Sequence, residues 1–579
     1  MTSSNRRDIL KLLIESGLQV APEALEYILH LDTPIETIRS ILIENSSGKH
    51  PLVLSLSYVE SLIEGRITET IHEDQKQVTV NKFEGAQIEP LIPVSITENE
   101  TGWSFRIEKN PDADQVGSEG TVENFLALFR DRFNRIKRIY MSRIDTQNAV
   151  SPHIAKLRKD SAKQRRAMTR EGMRISSRTT QTVLGIVRNK SISQSRNVIV
   201  ELENLEIVCK ECDRPLNLDL NTKPMPELIF CPSCNIKVQH RERYSTMICI
   251  VPATREGLIG QQLSEKANSL LPDEITCISG FVDEDARMIA DDVIFPDIPT
   301  VREIGRARRD VYAVFISDIH CGSKEFLEDE FDRFTRWING KDVDEEDKAL
   351  VKQIRYLFVA GDMVDGISVY PAQRNDLKIE SIYEQYLLFA SKLNKLPHQI
   401  KIFCIPGNHD ANRQALPKPP IPEEFAQPLY NLGNRISMLG DPSQVIVEGV
   451  NVLLTHGDSM DDLVTSIPGA SYTEPARPMI ELLKKRHLVP MYGGKTELAP
   501  LHRDWMVIDT PPDIVHFGHC HHNAVDNYRG VQIINSGTFQ SQTDFMRKQG
   551  VVPTPGIVTL MNLRTGAPDV RFFYDMSKK

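Results

Sequence analysis

The sequence predicts a multidomain α+β protein, and three observations carry that prediction. Five apolar runs between Val311 and Asn523 each end in a cluster of His, Asp or Asn. A series of short strand-like runs between about 180 and 300 is interrupted by two CxxC pairs. The first 45 residues show apolar positions at helical spacing. At 579 residues the chain is long enough for three or four domains.

The N-terminal module, 1–45, reads as three short helices. SNRRDILKLLIESG stops at Gly17, APEALEYILH starts near Pro22, and DTPIETIRSILIEN has an Asp cap with Pro near its start. Residues 46–120 contain one further helical run, LVLSLSYVESLIEG, followed by polar segments rich in Asn, Asp, Gly and Pro; we expect a flexible linker with some short strands. Thr121 opens a strong helix, TVENFLALFRDRFNRIKRIYMSR. Its apolar stripe is Phe125, Leu128, Phe129, Phe133, Ile136 and Ile139 or Tyr140, with basic residues on the other face. The segment 121–179 thus joins a basic helix to a basic tether, KLRKDSAKQRRAMTREGMR.

Charge is unevenly spread. The chain carries a net −10, yet Arg130 to Val200 holds 18 Lys and Arg against 4 Asp and Glu. A basic segment in an acidic chain is a footprint for a polyanion such as DNA, or a solvated helix face. No apolar run reaches the ~18–20 residues of a membrane span, and the N-terminus lacks a signal-peptide pattern. We expect a cytoplasmic protein with reduced thiols and no membrane partner.

From 180 to 300, TQTVLGIVRNK, RNVIVELENLEIVC, YSTMICIVP, DEITCISGFV and ARMIADDVIF read as strands separated by Gly and Asn turns. They suggest a small barrel of the OB type. Such barrels bind single strands through basic grooves and aromatics, or dock proteins. Aromatics are sparse here, so docking with backbone contact is favoured. Within it lie Cys209-Lys-Glu-Cys212 and, 18 residues on, Cys231-Pro-Ser-Cys234. Four thiolates at that spacing form a zinc ribbon, 209–234, with a closed tetrahedral site and so a structural role.

The C-terminal domain, 311–579, carries the chemistry. VYAVFIS leads to Asp318 and His320, RYLFVA to Asp362 and Asp365, IKIFCIP to Asn408 and His409, NVLLT to His456, and IVHF to His519 and His521. Strands that end in ligand-type residues bring them together at one sheet edge. Asp318, His320, Asp362, Asn408, His456, His519 and His521 are all N or O donors, a set that suits Mn, Fe or Zn. They are too many for one tetrahedral ion and suit two cations if a carboxylate bridges; Asp362 is the candidate. Paired divalent ions about 3.5–4 Å apart serve in-line displacement at phosphorus. His409 is placed for proton transfer or charge stabilisation, and Asp365 for orienting its ring. Each motif alone has a bland reading as a turn or a hydrogen-bonded core histidine. All five in order, each at a strand end, do not.

The set DIH, GDMVDG, GNHD, HGD and GHCH resembles the calcineurin-like metallophosphoesterases. The resemblance implies a two-layered β-sandwich flanked by helices. It implies one metal on Asp318, His320, Asp362 and His521 and another on Asp362, Asn408, His456 and His519. It also implies that His409 is the catalytic histidine, paired with Asp365. The layout as a whole is similar to the small-subunit family of archaeal family D DNA polymerases. TGWS precedes ENFLALFRDRFNRIKRI, a barrel ends in DDVIFPDIP, and the tail is NSGTFQSQTDFMRKQGVVPTPG. That resemblance, good over 120–579 and loose before it, implies a metal-dependent 3′→5′ exonuclease acting on DNA 3′ ends. It also implies a heterodimer with a large polymerase subunit. Whether a sliding clamp binds is left open. A metallophosphatase and a purely structural polymerase subunit are the alternatives.

Overall fold

A computed structural model describes the backbone of residues 19–20 and 53–54, and all of 102–159, 180–216, 226–253 and 257–574 apart from the side chains of 545 and 549. The expected N-terminal helices and the tether 160–179 lie outside the described residues. Two compact units are present, Met1–Gln87 and Ile88–Lys579. In the first, β1 (Gln19–Val20) pairs in parallel with β2 (Val53–Leu54). β2 thus stands where the sequence suggested one more helix.

The second unit opens with β3 (Phe105–Lys109), inside the segment read as linker. It is an edge strand, antiparallel to a strand of the C-terminal domain. A five-residue strand with three charges and only two apolar residues carries too little apolar signal to be told from a polar loop.

The helix Val122–Met141 follows. Thr121 Oγ1 accepts from the Asn124 amide at 3.2 Å, which makes it the N-cap, while the Asn124 side chain turns to Ser118 instead of returning the bond. Leu128, Phe133, Ile136 and Tyr140 are buried, as the stripe requires. The basic face differs from the expectation. Arg132 is fully buried: Nε donates to Asp504 at 2.7 Å, and Nη1 donates to the Pro490 carbonyl at 2.6 Å and the Asp273 carbonyl at 3.3 Å. Arg135 Nε donates to Asp509 at 2.9 Å. These arginines fasten the helix to the barrel and to the C-terminal domain; they do not track a phosphate backbone. Arg132→Ala would leave Asp504 buried without its guanidinium. We expect it to cost about 3–5 kcal/mol of stability, measured by denaturant unfolding.

Next come β4 (Gln181–Ile192), β5 (Val198–Cys209), the hairpin β6 (Ile229–Cys231) with β7 (Ile236–Val238), then β8 (His240–Val251), β9 (Ile275–Val282) and β10 (Met288–Ile294). Five of these close into a barrel in the order β10-β8-β5-β4-β9. Inward residues such as Val183, Val200, Leu202, Met247, Ile278 and Val293 fill it, joined by Leu263 and Ala267 of the helix Gly257–Asn268. β5 and β8 pair along their full length, to Cys209 opposite His240. The cysteine segment therefore sits at the tip of a long two-stranded arm.

The C-terminal domain contains β11 (Tyr312–Ile316), β12 (Ile354–Ala360), β13 (Lys401–Ile405), β14 (Ile436–Met438), β15 (Ser443–Val447), β16 (Val450–Leu454), β17 (Ile514–Phe517), β18 (Ala524–Tyr528), β19 (Val531–Asn535), β20 (Ile557–Asn562) and β21 (Pro568–Phe572). They form two six-stranded sheets, β14-β13-β12-β11-β20-β21 and β18-β19-β17-β16-β15-β3. Between the sheets, Phe315, Phe358 and Phe403 stack at 5.1 and 5.2 Å and meet Val445, Val452, Leu454, Ile514 and Ile534. Helices Glu328–Ile338 and Ile382–Asn394 bury Phe331, Phe334, Tyr386 and Phe389 against the outside of the first sheet. Ala476–Lys485 buries Met479 and Leu482 against the outside of the second. All five apolar runs are strands, but three belong to one sheet and two to the other. The candidate ligands therefore meet at the mouth of a sandwich and not along a single sheet edge. Among the described residues, no helix is long and apolar enough to cross a membrane.

Candidate metal centre

Each candidate ligand lies in the loop that leaves the carboxyl end of a strand. Asp318 and His320 follow β11, Asp362 follows β12, Asn408 follows β13, His456 follows β16, and His519 and His521 follow β17. Five of the seven hold left-handed backbone: Asp318 (φ 53°), His320 (52°), Asp362 (51°), His519 (67°) and His521 (54°). That conformation costs on the order of 1–3 kcal/mol for a non-glycine residue and persists where the surroundings over-determine it. Its recurrence here marks loops shaped to aim side chains inward. Gly407 shows how tightly they are packed, since a Cβ there would lie 2.0 Å from Asp362 Oδ1.

The seven side chains gather in one buried pocket. On one side His320 Nε2 stands 3.1 Å from His521 Nε2, and His521 Nε2 lies 3.3 Å from Asp318 Oδ1. On the other, Asn408 Oδ1 lies 2.9 Å from His456 Nε2 and 3.1 Å from His519 Nδ1. Asp362 Oδ2 stands between the two sets, 3.7 Å from His320 Nε2 and 3.4 Å from His456 Nε2.

The far nitrogens assign the protons. His456 Nδ1 donates to the Ala360 carbonyl at 2.8 Å, and His320 Nδ1 faces Asp365 Oδ1 at 3.0 Å. The inward nitrogens of the neutral rings are then lone pairs. His521 Nδ1 has no partner among the described residues, so its Nε2 can carry the proton between His320 and Asp318, while His456 Nε2 faces the Asn408 oxygen, acceptor against acceptor. A cation between them resolves the conflict, so the residues fit a metal. In a metal-free pocket a proton does the same: burial lowers the His456 pKa, but Asp362 and Asp318 outweigh it and raise it to about 10. Conversely, burial opposes ionisation of Asp362, and His456, His409 and His320 hold it well below the usual carboxylate range.

His409 lies against this pocket, its ring centroid 4.7 Å from that of His320. The expected partnership with the Asp365 carboxylate is corrected. His409 Nδ1 donates to the Asp365 backbone carbonyl at 2.7 Å. The Asp365 carboxylate instead faces His320 and accepts from Gln540 at 3.0 Å and Gln373 at 3.1 Å. The turn after Asp362, tied by the Asp365 amide to the Cys321 carbonyl at 3.0 Å, buries the side chain beneath His320.

Several residues near the site were not singled out from sequence. Asp461 Oδ1 lies 3.1 Å from His519 Nε2, pinning that ring from behind. Asp410 Oδ2 accepts from the Gly407 amide at 2.8 Å, and burial, with Asp362, pushes it to about 6. Lys418, fully buried, lies 2.6 Å from Asp458 behind His456. An extra carboxylate in GNHD or HGDSMDD could have been noticed; Lys418, among prolines, offers no signal. His487 and His516 are core residues, bonded to Asp504 at 2.9 Å and Ser536 at 2.6 Å. Cys321 and Cys520, beside ligands, are buried with thiols pushed well above the ordinary range by that burial, which disfavours the reactive thiolate.

The four knuckle cysteines form a separate cluster at the tip of the arm. Sγ of Cys209 and Cys234 are 3.8 Å apart, and those of Cys212 and Cys231 3.6 Å. Sulfurs at ~2.3 Å from a central tetrahedral ion would be roughly 3.8 Å apart, so the spacing fits zinc. Backbone amides of Glu211 and Cys212 point to the Cys209 sulfur at 3.3 and 3.4 Å.

A two-layered sandwich with paired N/O donor sets at its mouth defines a multidomain protein with a phosphoesterase-like fold. The family model for the B subunits of DNA polymerases alpha and epsilon matches residues 313–525. The DNA polymerase II small subunit of Pyrococcus horikoshii is 33% identical over 532 residues, 90% of this chain and 75% of that protein. That of Methanocaldococcus jannaschii is 36% identical over 462 residues, 79% of this chain and 67% of that one. That of Archaeoglobus fulgidus is 45% identical over 312 residues, 54% of this chain and 62% of that one. The chain belongs to the family of archaeal DNA polymerase II small subunits, those of family D. It spans less than two thirds of the Archaeoglobus relative's length. Among solved structures it is similar to a novel archaeal phosphodiesterase (12% identity, TM-score 0.23, 45% of this chain and 99% of that one) and to the Escherichia coli phosphoesterase Yfce (14%, 0.23, 46% and 100%). Both likenesses are too distant to carry an argument.

Proposed function

We propose that the chain is the proofreading subunit of a replicative polymerase, a 3′→5′ exonuclease that also docks the large polymerase subunit. One observation carries the reading: two facing sets of N and O donors, with the Asp362 carboxylate between them, in a member of a polymerase subunit family. Asp318, His320, Asp362 and His521 would hold one divalent cation, and Asp362, Asn408, His456 and His519 the other. Their N/O chemistry suits manganese. When bound, such a pair supplies the activated nucleophile and neutralises the entering and leaving oxygens of an in-line displacement.

The chain's own residues do the rest. Asp362 keeps the two sets in register. His409, its Nδ1 fixed by the Asp365 carbonyl, presents Nε2 to the substrate side. A bound phosphodiester anion favours its imidazolium, which gives its proton to the leaving 3′-oxygen of the penultimate nucleotide. Asp365 and Asp461 orient His320 and His519 through their outer nitrogens. The cysteine cluster would hold one structural zinc. The five-stranded barrel is of the OB type and serves docking, its arm stiffened by that zinc.

The test is digestion of 5′-labelled DNA with a mismatched 3′ end in manganese, with and without the large subunit, and a phosphopeptide in parallel. Products shortened stepwise from the 3′ end are expected. Phosphate release from the peptide with the DNA left intact would establish a phosphatase instead.

A further inference from the structure

The loop after Asp365 encloses a cavity of about 730 Å³ that the hydrolytic steps do not use. Ile367, Val369, Tyr370 and Leu377 give it apolar walls, and Arg374 stands at its rim. It begins where the catalytic pocket ends: the Tyr370 ring lies 6.2 Å from that of His409, centroid to centroid, with the planes at 60°.

The loop is built, not merely draped. Tyr370 Oη donates to Asp376 at 3.1 Å. The Gln373 side chain accepts from the Val369 amide at 2.8 Å and donates to the Asp365 carbonyl at 2.7 Å and carboxylate at 3.1 Å. The residue that supports His320 thus also anchors the cavity wall. Ser368 and Ala372 hold left-handed backbone, φ 61° and 65°, which keeps the apolar side chains around an open space. Ile367 remains 44% exposed although it is aliphatic. Arg374 pairs with Glu380 through Nε at 2.8 Å and Nη2 at 2.7 Å and keeps its guanidinium largely exposed at the cavity.

A half-buried aromatic ring, aliphatic walls and one exposed guanidinium suit a flat heteroaromatic group that carries a phosphate. The volume lies within the range of small-ligand sites. Resting on the exonuclease reading, we propose that this cavity receives the base of the 3′-terminal nucleotide, unstacked from its neighbour, while its phosphodiester lies at Asp362 and His409. Tyr370 and Ile367 grip the base faces, and Arg374 meets the backbone. Every base offers a π-face, so the grip is sequence-tolerant. Unstacking costs least at a mismatched or single-stranded end, so such ends enter first. The pocket thereby makes the chain selective for frayed 3′ ends without reading the mismatch itself.

The experiment compares two single-stranded oligonucleotides that differ only at the 3′-terminal residue, one with its base and one abasic, cut by the full chain in manganese. The wild type should remove the base-bearing residue with kcat/KM roughly tenfold higher, mostly through KM, the range of one base–aromatic stack. Tyr370→Ala combined with Ile367→Ala should erase that preference with manganese binding unchanged, and Tyr370→Phe, which keeps the ring, should restore it. Equal wild-type rates on the two ends would overturn the pocket without reference to any variant. So would a preference that survives the double substitution. Failure of the wild type to cut either oligonucleotide, with the large subunit present as well as without it, would count against the exonuclease reading itself.

Discussion

Asp362→Ala should bring the proposed exonuclease activity down to the metal-free background and should cost at least one of the two proposed manganese sites. The reach is large because Asp362 Oδ2 stands between the two donor sets, 3.4 Å from His456 and 3.7 Å from His320. Its loss also takes away the main charge that raises the His456 pKa. The sandwich core, the stacked phenylalanines among it, is untouched, so the variant should fold. Manganese titration followed by electron paramagnetic resonance, with circular dichroism as the control for folding, checks the result. Full activity or two undiminished binding sites would show that the carboxylate bridges nothing.

The second large effect separates chemistry from metal binding. His409→Ala should lower kcat by about 10²–10⁴-fold, the usual contribution of a positioned acid–base group, while both manganese sites remain. Asp365→Asn makes the contrast. Were its carboxylate the partner of His409, it would mimic the His409 variant. Because that carboxylate faces His320 at 3.0 Å, the substitution should instead weaken manganese binding by roughly 10–100-fold, as loss of a ligand's outer partner does. The backbone carbonyl that holds His409 survives the change. Parallel measurements of manganese affinity and saturated cleavage rate distinguish the two.

Much of this site was legible in the chain because strand endings and donor residues coincide. VYAVFIS, RYLFVA, IKIFCIP, NVLLT and IVHF are all strands, and the His, Asp and Asn after each do meet. What was not legible depends on contacts distant in sequence. Sorting the five strands into two sheets follows from pairings such as β11 with β20, which no local pattern announces. The partner of Arg132 lies at Asp504, so a buried guanidinium reads as a basic surface. The direction of the Asp365 side chain is settled by Gln373 and Gln540, one of them far along the chain. Phe105–Lys109 became a strand only because β15 offered an open edge.

The most direct measurement is the anomalous scattering of manganese in crystals of the protein soaked with that ion. Two peaks about 3.5–4 Å apart are expected, one among Asp318, His320 and His521, the other among Asn408, His456 and His519, with Asp362 touching both. A single peak, or two that do not share Asp362, would contradict the bridged two-metal site.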